Sequence, residues 1–290
     1  MRYALIDGIR QEATKGAKGQ CLCCGADVIA KCGKIRCWHW AHKNNKECPY
    51  SKKEPKTQWH LDWQNNFPKE WQEVRCTDEQ TGEIHIADIK TTNGLVVEFQ
   101  HSAINSEERL SRERYHKNMI WVVDGARLQH DLKRFAKNIE KFRALISHNS
   151  EIPVSLYTVN WIEEILPKSW LSATVPLYFD FRPEKIDDSE RDQQKSLRNL
   201  MWGFFRIGKT IFAVSMPHNC FVDYVQREII RNIEQVIISA FQQKTLQSPA
   251  ITAPPVFRSP QMVSRRSNSY SGSNARQINR IKSKNPSFRF

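Results

Sequence analysis

The chain of 290 residues has no apolar run near the ~18 residues that span a bilayer, so no membrane-crossing helix is expected. Its start, MRYALIDGIRQE, lacks the basic and then apolar regions of a secretory signal, and the expected location is cytoplasmic. The eight cysteines are too few and too unevenly spread for a disulfide scaffold, with four of them between Cys21 and Cys32 and Cys37 and Cys48 close behind. In a reducing compartment such crowding points to a metal before a disulfide. A P-loop is missing too, because Gly208-Lys209-Thr210 lacks the first glycine of G-x₄-G-K-[ST]. Acids are absent from Gln243 to the end, where nine Lys or Arg stand. That stretch carries most of the net charge of +13 and leaves about +4 for the rest. A polyanionic partner, most simply nucleic acid, is favoured mainly through the tail.

What is present suits a soluble globular chain, with 40% hydrophobic and 26% charged residues and length for one large or two ordinary domains. Four regions can be read. Residues 1–53 are a short lead and a Cys/His cluster, read as an N-terminal zinc-binding module. Residues 54–143 alternate helical and strand patterns. Residues 144–244, with an aromatic middle and a charged run, are expected to form a mostly helical accessory domain. Residues 245–290, rich in Ser, Pro, Asn and Arg, have too little apolar content to fold alone and read as a disordered basic tail able to hold nucleic acid through salt-sensitive phosphate contacts.

The second region resolves into elements. Trp59 and Trp63, four apart within Thr57–Phe67, predict a helix that Pro68 ends. Trp71–Thr77, Glu83–Thr91 and Leu95–His101 read as strands, the last two joined by Thr92-Asn93-Gly94. Ser106–Lys117 reads as a charged helix and Met119–Asp124 as a buried strand. Within Ser106–Lys117, Arg109, Arg112, Arg114, His116 and Lys117 are candidates for phosphate contact. With Glu107, Glu108 and Glu113 interleaved, a solvated helix with i,i+4 pairs is the stronger reading.

The chemistry concentrates in HIADIKTTNGLVVEFQHS. A metal-dependent phosphodiesterase needs carboxylate oxygens close together to hold Mg²⁺ or Mn²⁺ against a phosphate. A two-residue loop, Asn93-Gly94, would put Asp88 and Glu98 on opposite faces. A three-residue loop with Gly94 left-handed sets Ile89 against Val97 and Asp88 across from Glu98, with Cβ atoms about 5 Å apart. The second register is preferred, because Lys90 and Gln100 then share the acids' face while Ala87, Ile89, Val97 and Phe99 line the other. Glu98 lies inside the apolar run LVVEFQ, where an unpaired carboxylate would be costly.

Cys21-x-x-Cys24 supplies half of a tetrahedral zinc site, and His39, His42 and Cys48 are the candidates for the rest. Four protein ligands would make the zinc structural. Trp38 and Trp40 are expected to pack the module. The basic residues around it (Lys31, Lys34, Arg36, Lys43, Lys46) fit DNA contact and a solvated surface equally well.

W-H-x-x-W at Trp59, His60 and Trp63, H-I-A-D at His85–Asp88, V-E-F-Q-H-S at Val97–Ser102 and W-V-V at Trp121–Val123 together resemble the competence protein CoiA family, assigned to the PD-(D/E)xK nuclease superfamily. The resemblance covers roughly Cys21–Asp124. It implies an α/β fold with an αβββαβ restriction-endonuclease-like core, the order read above from the residues. It also implies that Asp88 is the D of the motif, Glu98 the D/E, and Gln100 the residue at the Lys position. Gln there removes a cation, which Lys90 is placed to supply. His60 is a candidate to contact phosphate or water, and also fits as a histidine packed between two tryptophans. The family's third acid has no certain match: Glu54 lies upstream, Lys56 precedes Thr57, and Glu73 reads better as a surface strand acid. The implied function is a Mg²⁺- or Mn²⁺-dependent DNA nuclease acting on incoming single-stranded DNA with recombination proteins, or in DNA defence. The rivals are a catalytically inactive nuclease-fold adaptor that binds DNA, and a zinc-module interaction protein without a nucleic-acid role.

Overall fold

A computed structural model describes residues 1–44, 47–52, 56–78, 81–146, 153–182 and 197–232. The charged run after Arg182, Glu54, Lys46 and the tail of residues 245–290 lie outside the described residues, and so do the readings placed on them.

The N-terminal region is a five-stranded antiparallel sheet ordered β2-β1-β3-β4-β5, from β1 (Tyr3–Ile6), β2 (Ile9–Glu12), β3 (Lys18–Gln20), β4 (Asp27–Lys31) and β5 (His39–His42). A short helix α1 (Pro49–Lys52) follows. The sheet buries Ala4, Val28 and Trp40 with Cys21, Cys48 and Tyr50, and this small core continues into Ile86 of the larger sheet.

The αβββαβ order is present as α2 (Gln58–Asn65), β6 (Gln72–Thr77), β7 (Ile84–Lys90), β8 (Val96–Gln100), α3 (Ser106–Tyr115) and β9 (Met119–Asp124). Local chemistry explains the starts of both helices. The hydroxyl of Thr57 accepts from His60 N at 3.3 Å, and the Asn105 side chain accepts from Glu108 N at 2.8 Å. Glu107 and Glu108 in the first turn of α3, with Arg112 and Arg114 in its last, also suit the helix dipole. β6, β7 and β8 are antiparallel, whereas β8 and β9 are parallel with α3 as the crossover.

The C-terminal region departs from the mostly helical expectation. After α4 (Gln129–Asn138) come β10 (Arg143–Ile146), β11 (Ser155–Val159), β12 (Leu177–Asp180), β13 (Leu200–Ile207) and β14 (Thr210–Pro217), with α5 (His218–Gln226) behind them. All five strands join the same nine-stranded sheet, ordered β10-β11-β14-β13-β12-β9-β8-β7-β6. The physical reason is burial on both faces: β13 (LMWGFFRI) and β14 (TIFAVSMP) each hold a continuous run of five buried residues, nearly all apolar, so neither a strand's alternation nor a helix's stripe is visible. Gly208-Lys209-Thr210 belongs to their hairpin, with Ile207 paired to Thr210.

Two apolar clusters form the core of the large sheet. One holds Trp59, Trp63 and Phe67 beside α2, Phe221 and Val225 of α5, and Ile89, Val97, Phe99 and Val122. The other holds Leu132 and Phe135 of α4, with Ala87, Val96, Trp121, Phe179 and Trp202. No helix among the described residues is long and apolar enough to cross a membrane.

Candidate functional sites

In the hairpin, Ile89 pairs with Val97 and Lys90 with Val96. Gly94 sits at φ +84°, and its N–H donates to Thr91 O at 3.0 Å. This is the three-residue-loop register, and it sets Asp88 across from Glu98. On the other side Gln72 pairs with Ile89 and Val74 with Ala87, so Glu73 stands opposite Asp88. Three acids therefore occupy one rung of three neighbouring strands, all buried: Glu73 is 3%, Asp88 3% and Glu98 1% exposed. The reading of Glu73 as a surface acid is corrected here. The lead strand covers it, and its carboxylate accepts from Arg2 N at 2.9 and 3.0 Å.

At this rung carboxylates replace backbone partners. Phe99 N donates to Asp88 Oδ2 at 3.1 Å, and Asp88 N donates to Glu98 Oε1 at 3.1 Å. The interruption also changes which core each neighbour joins. Ala87, expected beside Ile89, packs in the second cluster while Ile89 packs in the first. Glu73 itself has φ +47°, a conformation that non-glycine residues hold only where their surroundings impose it.

Cations meet the acids from both sides. Lys56, just before α2, places its ammonium 2.9 Å from Glu73 Oε1, 3.3 Å from Asp88 Oδ1 and 3.1 Å from His60 Nε2. His60 Nε2 is itself 3.3 Å from Asp88 Oδ1. From α3, Arg112 Nη1 lies 3.3 Å from Glu98 Oε2. Burial opposes the charge on Lys56, but Glu73 and Asp88 outweigh it and hold the ammonium above its ordinary range. Burial likewise opposes ionisation of Glu73, yet Lys56 and the N–H donors prevail and bring its carboxyl down to about 2. Arg112 behaves like Lys56, with Glu98, Glu108 and Asp88 overcoming its burial.

The other expected residues fall close by in different roles. Gln100 is buried and turns its amide to Ser102, at 3.0 Å from the carbonyl and 3.1 Å from the hydroxyl. Lys90 is half-buried and its charge acts on the Cys76 thiol; the ammonium that touches Asp88 belongs to Lys56. The reading of α3 as a solvated helix with i,i+4 pairs holds for the pairs and for exposed Glu107, Glu108 and Arg114, but is corrected at Arg109 and Glu113. Arg109 is fully buried and ion-paired to buried Glu113, and it donates to Ser169 O at 2.9 Å and Ser172 Oγ at 2.7 Å. Arg109 is thus a structural tie, and Arg112 is the residue of this helix that reaches the acids.

α2 is aimed by a carboxylate that the sequence reading passed over. Asp180, fully buried at the end of β12, accepts from Trp59 Nε1 at 3.2 Å and Trp63 Nε1 at 2.9 Å. Its other oxygen lies 3.0 Å from His218 Nε2 and accepts from Arg182 N at 3.0 Å. Burial would raise its pKa, but the His218 and Arg182 interactions win and keep it well below the usual carboxylate range. Both tryptophans also pack on Phe99, with Trp63 stacked at 5.8 Å. The strand holding Glu98 thus carries the helix that delivers His60. The signal for Asp180 was available: a lone acid within LYFDF repeats the pattern of Glu98 in LVVEFQ.

The second candidate site lies in the N-terminal module. Cys21, Cys24, His42 and Cys48 each offer a ligand atom, and these atoms all lie within 4.8 Å of one another. Cys21 Sγ is 3.8 Å from Cys48 Sγ, and Cys24 Sγ is 3.3 Å from His42 Nε2. A tetrahedral zinc with bonds near 2.0–2.3 Å needs ligand–ligand separations of about 3.3–3.8 Å, which both of these pairs meet, and a set of three thiols and an imidazole suits the ion. Ser51 Oγ, 2.8 Å from His42 Nδ1, fixes the ring with Nε2 toward the sulfurs. Burial pushes the Cys21 thiol up to about 12 and the Cys48 thiol to about 11, which a bound cation would reverse. His39 is outside the cluster, with Nδ1 2.8 Å from Cys37 O. Among the described residues no group of acids with three or more members converges in this way.

Trp40 is 1% exposed and packs the module as expected, but Trp38 does not: it is 53% exposed. Residues 8–51 match the family model described as competence protein CoiA, N-terminal domain. No curated protein and no solved structure matches the chain.

Proposed function

We propose, from the match of residues 8–51 to the N-terminal domain of competence protein CoiA, that this is a CoiA-like protein and that the buried rung is the centre of a metal-dependent DNA phosphodiesterase serving DNA uptake and recombination. The observation that carries this reading is the facing pair Asp88 and Glu98 at an interruption in strand pairing, with Glu73 beside them. Three buried carboxylates meet the half-buried cations Lys56 and Arg112 there, so opposite charges face each other at this rung with little water between the groups. Its donors are hard oxygens, which suit Mg²⁺ or Mn²⁺.

Asp88 and Glu98 would hold that ion, which supplies charge against a phosphate during phosphodiester hydrolysis. The protein's own residues do the positioning. Lys56 keeps Asp88 and His60 in register and provides the cation that Gln100 lacks at its place in the motif. Arg112 orients Glu98. His60, its backbone N–H donating to the Thr57 cap and its ring packed on Phe99, lies buried against the same carboxylate and is placed to orient water or phosphate. The N-terminal zinc, with four protein ligands, is structural.

The decisive experiment measures Mg²⁺- and Mn²⁺-dependent cleavage of single- and double-stranded DNA by the wild type and Asp88→Asn. Cleavage by the wild type should fall at least about a hundredfold in the variant, the scale on which removal of one transition-state-stabilising group acts. DNA binding without cleavage by the wild type favours an adaptor instead, a reading to which the protein cations already seated on Asp88 and Glu98 lend weight.

A further inference from the structure

The loop between β4 and β5 leaves a large aromatic residue in water. Trp38 is 53% exposed and Ile35 98% exposed, while Lys31, Lys34, Arg36 and Lys43 are all exposed around them. From Val28 to Lys46 the sequence contains five Lys or Arg and no acid. A basic surface of this kind selects a polyanion, and a half-exposed indole offers it a flat apolar face.

The arm that carries Trp38 is well anchored. β4 starts three residues after Cys24, and β5 ends at His42, so the hairpin is bounded by two members of the zinc cluster. Lys31 pairs with His39 at its base. The loop also reaches the other site: Cys37 Sγ lies 3.7 Å from Gln58 Oε1, at the start of the helix that carries His60 to Asp88. An extended strand lying on this loop would therefore run toward the acidic rung.

We propose that this loop is a contact for single-stranded nucleic acid, in which Trp38 stacks on an unpaired base and Lys34 and Arg36 hold the flanking phosphates. A duplex hides its base faces, so the indole favours single strands, while the basic side chains serve either form. The choice of DNA rests on the reading of Asp88 as a DNA-acting centre, but the contact itself requires no cleavage.

The test is fluorescence anisotropy of labelled oligo(dT) and of a duplex of equal length, with the zinc-loaded full chain and with Trp38→Ala, Trp38→Phe and Lys34→Glu/Arg36→Glu. Trp38→Ala should weaken single-strand binding between about fivefold and a hundredfold, the worth of one stacked base, and leave the duplex unchanged. Trp38→Phe should keep most of the affinity. The double charge variant should weaken both forms and lower the slope of log K against log salt for oligo(dT) by about 1.4. Because Trp38 is exposed, Trp38→Ala should melt with the wild type, and that measurement excludes misfolding as the cause. Equal single-strand affinity in Trp38→Ala, or an equal loss on single strands and duplex, overturns the proposal, as does a wild type that does not bind oligo(dT). A wild type that cuts no DNA but loses single-strand affinity on Trp38→Ala removes the nuclease reading and leaves this one standing. Cleavage with binding insensitive to Trp38 does the reverse.

Discussion

The two candidate sites handle charge in opposite ways. In the Cys/His module three thiols and an imidazole converge on one another, and burial raises the thiols Cys21 and Cys48. In the acidic rung the donors are hard, and Lys56 and Arg112 already lie against them. A convergent thiol set is incomplete until an ion draws off its protons, so metal and fold are coupled. A rung of carboxylates compensated from within can form first and admit an ion later, provided a lysine gives way. The difference teaches that the first site would depend on a bound metal for its structure, whereas the second is held by cations of the protein itself.

The sharpest way to break this contrast is to take away each site's cation. The purified protein should carry a single tightly held zinc, and Cys24→Ser or exhaustive chelation should unfold the N-terminal module with loss of several kcal/mol, out of the ~10–16 kcal/mol that structural zinc supplies at neutral pH. Metal analysis and thermal melts check this; a module that melts unchanged without zinc removes the distinction. Lys56→Met comes next. It leaves Glu73 and Asp88 buried without their ammonium and should destabilise the fold by about 3–5 kcal/mol in denaturant titrations. Added Mn²⁺ should restore part of that loss if the rung accepts an ion. Restoration absent at saturating Mn²⁺ would argue that the rung is a structural ion-pair network.

Acid offers a finer comparison. The Glu73 carboxyl is lowered from its ordinary 4.5 to about 2, so its contribution is complete above pH ~4.5 and is lost as pH falls toward ~2. The amount is on the order of 3 kcal/mol. Glu73→Gln should flatten the stability profile over that window, measured by urea midpoints at each pH. Smallest is Gly94→Ala. At φ +84° an alanine is strained, and the cost should be about 1–2 kcal/mol with the zinc site untouched. An unaffected melting temperature would mean that the turn does not need its left-handed glycine.

Much of the acidic site was legible because its information is local. The three-residue turn Thr92-Asn93-Gly94 and the strand patterns on either side specified the hairpin, and Glu98 within LVVEFQ announced a buried carboxylate. Cys21-x-x-Cys24 marked the zinc module, although His39 and His42 could not be separated until Cys37 O was seen to engage His39. Lys56 was illegible for the opposite reason. It precedes a helix in an irregular segment, and nothing nearby in sequence says that its ammonium will meet Glu73 and Asp88. Glu73 looked like a surface acid because the strand that buries it comes from the other end of the region, through Arg2.

The sequence by itself therefore determined the order α2-β6-β7-β8-α3-β9, the register that sets Asp88 against Glu98, and a Cys/His module able to hold a metal. These follow from periodicity, turn chemistry and ligand spacing, all of which act over a few residues. Tertiary structure alone decided which cation serves the acids, which acid joins the pair, and that the strands β10 to β14 extend the same sheet rather than form a helical domain. Those outcomes depend on burial and charge pairing between segments far apart in the chain, and such energies exist only once the segments have met.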